Sequence, residues 1–142
     1  MPMEIIATEG VFTPTAAQEV FAKLTDLLLE LNGLSENEFM APNIIGEMTI
    51  VPKGRTFSGG KATEIAIFEL KVPAIVLPTR EAQLAWIERG TRIILEAAAG
   101  KLDRDRVWGN VVHAVDGLWG INAHAYTNEE LGAVLSGRAA PF

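Results

Sequence analysis

The sequence has no cysteine and only two histidines, His113 and His124. Without cysteine the chain has no disulfide bonds, no metal sites built on thiolates and no cysteine nucleophile. Two histidines are too few for a histidine-rich metal site. We therefore expect no metal centre, and any catalytic chemistry has to come from other groups.

Long apolar runs and clusters of positive charge are also missing. Apolar runs such as Leu27-Leu28-Leu29 are far shorter than the ~18 residues of a membrane span. Acidic residues outnumber basic ones by 18 to 12, and no basic stripe is present to bind a phosphate backbone. The first residues lack the basic and apolar regions of a signal peptide. We expect a cytoplasmic protein that has neither nucleic acid nor membrane as a partner.

The composition is that of a folded domain. Hydrophobic residues make up 49% of the 142 residues and charged residues 21%, which is typical of globular chains and not of disordered ones. A chain of this length buries enough surface to fold without a metal or a disulfide. We expect a single domain over residues 1–142.

The first part of the chain, residues 3–51, reads as a β-α-β unit. Residues 3–12 are expected to contain a short strand that Gly10 closes. Thr13 and Pro14 then supply a hydroxyl N-cap and a proline at the first helical position. Apolar residues recur at helical spacing up to Leu31, and Gly33 suits the helix C-terminus. A second strand is expected over residues 40–51, followed by a glycine-containing loop over residues 52–61.

The same pattern returns over residues 64–112. A strand is expected over residues 64–77, with Pro73 marking an edge or a break. Thr79 caps a second helix, Gly100 ends it, and a strand follows over residues 107–112. Gly100 follows Gly33 by 67 residues, and Asn110 follows Asn43 by the same interval. This internal repeat predicts two β-α-β units in tandem.

Two such units predict a two-layer α/β domain of the α+β kind. Parallel strands within each unit form a four-stranded sheet, and both helices lie on one face of it. Residues 113–142 form an extension with an added strand near residues 119–125 and a short helix that Thr127 begins. Trp119 and Tyr126 have no evident place in a four-stranded monomer, so we expect them at a subunit interface.

Pro2 is the residue with the most chemical promise. Removal of the initiator methionine leaves a secondary amine at the start of a strand. Burial in an apolar pocket lowers the pKa of such an amine from about 8 and makes it a base near neutral pH. Such a base can remove a proton from a carbon next to a carbonyl. A second-position proline without any catalytic role is the simpler interpretation of this residue taken alone.

Several short motifs occur in the order found in one family. They are Pro2-Met3-Glu4-Ile5-Ile6, the pair Gly59-Gly60, and Asp105-Arg106-Val107-Trp108-Gly109-Asn110. With them the chain resembles the tautomerase superfamily over residues 2–122. That family includes 4-oxalocrotonate tautomerase, macrophage migration inhibitory factor and cis-3-chloroacrylic acid dehalogenase. The Asp116-Gly117-Leu118-Trp119-Gly120 segment is similar to the end of its longer bacterial members.

The resemblance implies a homotrimer with active sites near the subunit boundaries and Pro2 as the catalytic base or acid. It implies that Trp108 and Asn110 line the pocket of a neighbouring subunit. No metal or organic cofactor is implied. Two positions depart from the family pattern, because Leu29 stands where a histidine is found in the dehalogenase branch and Leu34 where a lysine is found in the inhibitory-factor branch.

A carboxylate group on the substrate would need a cation. Arg80 lies in the first turn of the second helix, where the helix N-terminus also favours anions. A surface pairing with a nearby glutamate is the equally plausible alternative. Lys71 is a weaker candidate, and a charge at a sheet edge is its simpler interpretation.

Three functions remain open from the sequence. The first is a cofactor-independent tautomerase or isomerase that uses Pro2 as a general base on a small oxo-acid or enol. The second is a hydratase or dehalogenase with a protonated Pro2 as general acid. The third is a trimeric binding protein without catalysis. The pKa of the Pro2 amine separates the first two.

Overall fold

The computed structural model describes all residues, 1–142, and contains the two expected β-α-β units. The first consists of β1 (Pro2–Thr8), α1 (Pro14–Leu31) and β2 (Ile45–Val51). A small hairpin of β3 (Phe57–Ser58) and β4 (Lys61–Ala62) connects it to the second unit, which consists of β5 (Ala66–Pro73), α2 (Arg80–Ala98) and β6 (Val107–Ala114). The chain ends with β7 (Trp119–Ile121), β8 (His124–Tyr126) and α3 (Asn128–Leu135).

The four long strands form one mixed sheet in the order β2-β1-β5-β6. The strands are parallel within each unit, and the two units meet where β1 runs antiparallel to β5. This is the predicted two-layer α+β arrangement, so the fold class expected from the sequence is confirmed. Because β1 and β5 are central, a residue on either strand has neighbours on both sides.

Both long helices begin with the threonine that the sequence indicated. The Thr13 hydroxyl accepts a hydrogen bond from the Ala16 N–H at 3.1 Å, and the Thr79 hydroxyl accepts one from the Ala82 N–H at 3.2 Å. Each bond satisfies one of the free N–H groups of a helix's first turn. The two caps therefore set the point at which each helix starts after its strand.

One face of the sheet carries the main core. Residues alternate along a strand, so every second side chain of β1 and β5 points toward the helices. The buried set comprises Met3, Ile5, Ala7, Ala66, Phe68, Leu70 and Val72. These side chains pack with the apolar residues of α1 and α2. We call this the covered face, and the opposite side the open face.

Two glycines in the outer strands leave room for aromatic rings on the covered face. A Cβ at Gly109 of β6 would lie 2.5 Å from the Phe68 ring, and a Cβ at Gly46 of β2 would lie 2.5 Å from the Phe21 ring. Both distances are too short for a real contact. Glycine is therefore required in each outer strand by the aromatic ring packed over it.

Several predicted strand limits were wrong. β1 ends at Thr8, and Gly10, which was expected to close this strand, turns the chain with a φ of +88°. β2 begins at Ile45 and not at residue 40, because Ala41–Asn43 form a short 3-10 helix that includes Pro42. β5 starts at Ala66 and ends at Pro73, where the sequence suggested a break, and the chain then turns toward α2.

The C-terminal extension differs from the expected single strand. Residues 119–126 form a β7–β8 hairpin, which turns at Asn122 and Ala123, both with positive φ. The helix does start at Thr127, which forms a capping box with Glu130. Tyr126 is 1% exposed and packs in a second small core with Ile121, Leu131 and Val134.

This second core corrects the interpretation of the extension. Tyr126 is buried within its own chain, and Trp119 is half-buried against the same cluster. Tyr126 therefore needs no partner subunit to cover it, while the place of Trp119 at a subunit interface stays a prediction. No helix of the structure is both long and apolar enough to cross a membrane.

Candidate active site

Pro2 lies at the start of a central strand, on the open face of the sheet. It pairs with Ile45 of β2 and is itself exposed. Beside it is a cavity of about 220 Å³, lined by residues of β1, β2 and β5. We call this the Pro2 cavity. Its lining includes Pro2, Glu4, Ile45, Glu47, Glu69 and Lys71.

The residue before Pro2 determines whether Pro2 can react. Met1 is 4% exposed, its carbonyl accepts a hydrogen bond from the Ile45 N–H at 3.2 Å, and its α-amino group donates to the Asn43 carbonyl. While Met1 is attached, the nitrogen of Pro2 is a tertiary amide and cannot take up a proton. Burial lowers the pKa of the Met1 α-amino group to about 6. This shift belongs to the amine of Met1, which is lost when Met1 is removed.

Three glutamates form a row across the open face. Glu4 of β1 pairs with Glu47 on the parallel side and with Glu69 on the antiparallel side. Residues paired in this way point to the same face, and neighbouring strands are about 4.8 Å apart. The Pro2 cavity therefore has a carboxylate on each of three adjacent strands.

Lys71 is the only basic residue in the cavity lining. It follows Leu70, which pairs with Met3, so it lies across from Pro2 on the neighbouring strand. Its Nζ lies 3.3 Å from Oε1 of Glu69, two residues earlier on the same strand and face. The one nearby cation is therefore already paired with a carboxylate of the same cavity.

Trp108 and Asn110 lie on β6, at the edge of the sheet. Trp108 pairs with Ile67 and Asn110 with Glu69, so both side chains share the open face with Pro2. Trp108 is 42% exposed, and neither residue lines the Pro2 cavity of its own chain. Within one chain the site thus contains Pro2 and Lys71 but not the other predicted residues.

Arg80 lies at a different place. It is the first residue of α2 and borders a separate cavity of about 470 Å³, with Gln83, Leu84 and His113 among its neighbours. The imidazole of His113 is 3.1 Å from the Val76 carbonyl oxygen. Arg80 and Pro2 are therefore not brought together in one chain.

Solved structures of other proteins match this chain over nearly its whole length. A native fused 4-OT superimposes with a TM-score of 0.73 at 15% identity, covering 93% of this chain and 99% of that one. The N1 protein of the cis-3-chloroacrylic acid dehalogenase family gives 0.75 at 12% identity, covering 93% and 89%. A variant of RhCC from Rhodococcus jostii RHA1 gives 0.70 at 17% identity, covering 100% and 93%. The chain has the tautomerase fold. No protein-family model and no curated protein matches it by sequence.

The two leucines that depart from the family pattern are explained by their packing. Leu29, where the dehalogenase branch has a histidine, is 6% exposed and belongs to the main core. Leu34, where the inhibitory-factor branch has a lysine, is half-buried and packs against that core. Both leucines act as packing residues in this chain and bring no polar group to a site.

The row formed by Glu4, Glu47 and Glu69 was not predicted from the sequence. Glu4 lies between Met3 and Ile5, and Glu69 between Phe68 and Leu70, so each interrupts an apolar strand. A charged residue between two buried ones has to point away from the core. That signal predicts the open face for each glutamate, but it does not reveal that they are neighbours, which depends on strand order and register.

Proposed function

We propose that the protein is a cofactor-independent tautomerase or isomerase in which the amine of Pro2, freed of Met1, acts as general base. The observation that carries this proposal is the position of Pro2 at the rim of a cavity, at the start of a central strand. A solved structure of the same fold, Pt0534, is described as inactivated by 2-oxo-3-pentynoate. That compound is a reactive oxo-acid, which supports carbonyl chemistry for this chain.

The proposed reaction moves one proton. The uncharged Pro2 nitrogen takes a proton from the carbon next to a carbonyl, or from the hydroxyl of an enol, and becomes a secondary ammonium. The electron pair left behind shifts to give the enolate or the ketone, and the ammonium returns the proton at the other end. A positioned base of this kind accelerates a reaction by about 10²–10⁴-fold.

We also propose a homotrimer. A fused 4-OT of the same fold has been solved as a symmetric trimer. The open face here leaves Ile45, Trp108 and Val112 between 42% and 59% exposed. A neighbouring subunit would cover such side chains, and it would bring Trp108, Asn110 or Arg80 to the Pro2 cavity of another chain. Light scattering at micromolar concentration should then give three times 15.3 kDa. A mass of one chain would contradict the trimer.

A second candidate function follows from the three glutamates near Pro2. Nearby negative charges stabilise a protonated amine and raise its pKa, in opposition to the effect of burial. A Pro2 that remains protonated at neutral pH would act as general acid in a hydration or dehalogenation. NMR titration of the Pro2 nitrogen in the Met-free protein separates the two roles. A pKa well below about 8 identifies the base, and one above it identifies the acid.

The main test is Pro2→Ala with Pro52→Ala as its control. Pro52 is an exposed proline in the loop after β2 and lines no part of the cavity. Phenylpyruvate and its neutral methyl ester serve as enol substrates, so that charge on the substrate does not decide the result. We expect Pro2→Ala to lower kcat/KM by about 10²-fold, the usual loss for a positioned acid–base group.

The melting temperature of Pro2→Ala should stay near the wild-type value, because Pro2 is exposed and adds little to the core. Pro52→Ala should retain full activity. An intact mass that still includes Met1 would contradict the role of Pro2 directly. Wild-type activity in Pro2→Ala would move the chemistry to other residues, whereas no activity in the wild type itself would favour the non-catalytic binding protein.

A further inference from the structure

We propose that Asn32 is a positioning residue for Arg80. Its side chain belongs to a set of three, with those of Gln83 and His113, that holds the loop between β5 and α2 in a strained conformation. Arg80 begins α2 at the end of this loop. The inference rests on the proposed function, because it concerns the binding of an oxo-acid's carboxylate group by Arg80.

The strain lies at Leu77, whose backbone has a φ of +53°. A large side chain rarely adopts this left-handed conformation, and Pro78, the next residue, restricts the backbone of Leu77 further. The other three non-glycine residues with positive φ are exposed, whereas Leu77 is completely buried. A strained conformation of this kind persists only where the surrounding structure holds it.

Three side chains from separate parts of the fold bind the backbone of this loop. The Leu77 N–H donates to Oδ1 of Asn32 at 3.1 Å, and the Leu77 carbonyl accepts from Nε2 of Gln83 at 3.2 Å. Nε2 of His113 is 3.1 Å from the Val76 carbonyl oxygen, which can only accept, so this nitrogen donates. Asn32 follows α1, Gln83 lies in α2 and His113 in β6. We call these three side chains the Leu77 clamp.

The bond from Asn32 satisfies a backbone N–H group that solvent does not reach, because Leu77 is completely buried. The amide of Asn32 is itself oriented, since its Nδ2 donates to the Leu28 carbonyl at 2.8 Å. A glycine at residue 77 would adopt positive φ without this support, but the leucine side chain belongs to the main core. Asn32 therefore holds a core residue in a conformation that the residue itself disfavours.

The Leu77 clamp and the cavity beside Arg80 share side chains, because Gln83 and His113 both line that cavity. A shift of the loop therefore moves Arg80 and changes the shape of its cavity together. Arg80 takes part in no ion pair of the structure, so its guanidinium is free to bind an anion. A cation that is held in place in advance binds its partner more tightly than a mobile one. All bonds of the clamp lie within one chain, so the clamp is complete without a neighbouring subunit.

Binding of two probes of equal size tests the proposal without requiring turnover. Phenylacetate is an anion at pH 7 and phenylacetamide is neutral, and each is titrated by calorimetry into the Met-free, fully assembled protein. Arg80→Ala should weaken phenylacetate binding at least about tenfold, the order of a hydrogen bond to a charged group, and leave phenylacetamide unchanged. Asn32→Ala should weaken phenylacetate binding at least about threefold through the loss of preorganisation. Because Asn32 acts through Arg80, the double variant should bind no more weakly than Arg80→Ala.

The variant Asn32→Asp separates positioning from stability. It keeps the oxygen that accepts from the Leu77 N–H, but it loses the donor to Leu28 and adds a negative charge at the C-terminus of α1, which is unfavourable there. We expect the melting temperature to fall in both Asn32 variants and phenylacetate binding to weaken only in Asn32→Ala. Gln18→Ala removes an exposed amide side chain of α1 and, as the control, should change neither quantity.

The proposal is overturned if phenylacetate does not bind the wild type, or binds Arg80→Ala equally well. It is also overturned if Asn32→Ala binds phenylacetate like the wild type, weakens both probes equally, or has an effect that adds to that of Arg80→Ala. Equal weakening by Asn32→Asp and Asn32→Ala would reduce Asn32 to a structural role. If the expected pattern holds while Pro2→Ala retains full turnover, the role of Asn32 stands and the proposed function of Pro2 alone fails.

Discussion

The same strands form both faces of the sheet, but the covered face builds the core and the open face carries the candidate site. On the covered face, Ile5 of β1 and Phe68 of β5 pair with each other and are completely buried. On the open face, Glu4 and Glu69 pair in the next row and stay partly exposed. Adjacent positions of one strand thus serve the core and the candidate site.

The difference shows why the site is placed where it is. The helices and their apolar residues supply the burial that stabilises the sheet, and this leaves the open face free to carry charge and Pro2. Like charges directly opposite each other on a sheet destabilise it. Glu4 between Glu47 and Glu69 is such an arrangement, and the core on the other face must offset it.

The largest expected effect compares two neighbouring isoleucines. Ile5→Ala should lower the free energy of unfolding by about 2–5 kcal/mol, because it leaves a cavity in the covered face. Ile6→Ala, the matched control on the open face, should cost less than half as much, since Ile6 is only half-buried. Urea unfolding at low protein concentration measures both. Equal losses would mean that a neighbouring subunit buries Ile6 even at this low protein concentration, and the two faces would then not differ in burial.

A smaller effect is expected where a strand is packed tightly against a ring. Gly109→Ala should cost about 1–3 kcal/mol, because its Cβ would lie 2.5 Å from the Phe68 ring on the covered face. Gly120→Ala is the control, since a Cβ at this strand glycine has no heavy atom within 4 Å. Thermal unfolding of the two variants measures the difference. If Gly109→Ala is as stable as the wild type, the covered face can accommodate the added methyl group.

On the open face, in contrast, a substitution should increase the stability of the protein. Glu4→Gln should raise the free energy of unfolding by about 0.2–1 kcal/mol, because it removes like-charge repulsion with Glu47 and Glu69. The gain should shrink in high salt, which screens the repulsion. Glu19→Gln should change nothing by comparison. Destabilisation by Glu4→Gln would mean that Glu4 has a favourable partner in the assembled protein.

The smallest effect concerns α3, whose buried residues Leu131 and Val134 pack in the second core. The backbone N–H of Thr127, and next His124, hold the pKa of Glu130 below its usual value. Its stabilising effect is therefore present above the ordinary glutamate pKa and is lost as the pH falls through the lowered one. Glu130→Gln should lower the melting temperature slightly at pH 7 and not in acid. Turnover of the phenylpyruvate methyl ester by Glu130→Gln should equal that of the wild type. A change in turnover would link the C-terminal extension to the Pro2 cavity.

Much of the fold was predictable because its signals are local. Thr13 and Thr79 cap their helices by bonds within four residues, and Gly59-Gly60 turns a hairpin with φ of +57° and +75°. The repeat of the β-α-β pattern then determines the parallel pairs. The strand limit near Met40 was wrong, because Met40 is buried in a turn, where no alternation of apolar and polar residues marks the start of the strand.

By itself, the sequence determined the two-layer fold and marked Pro2 as the group with catalytic promise. Only the tertiary structure decided the surroundings of Pro2. Glu4, Glu47 and Glu69 are far apart in the chain and become neighbours through strand order and register, while Arg80 comes to another cavity. Periodicity and capping act over a few residues and can be read along the chain. The charge of a cavity depends on which distant strands lie side by side, and this is decided by packing of the whole sheet.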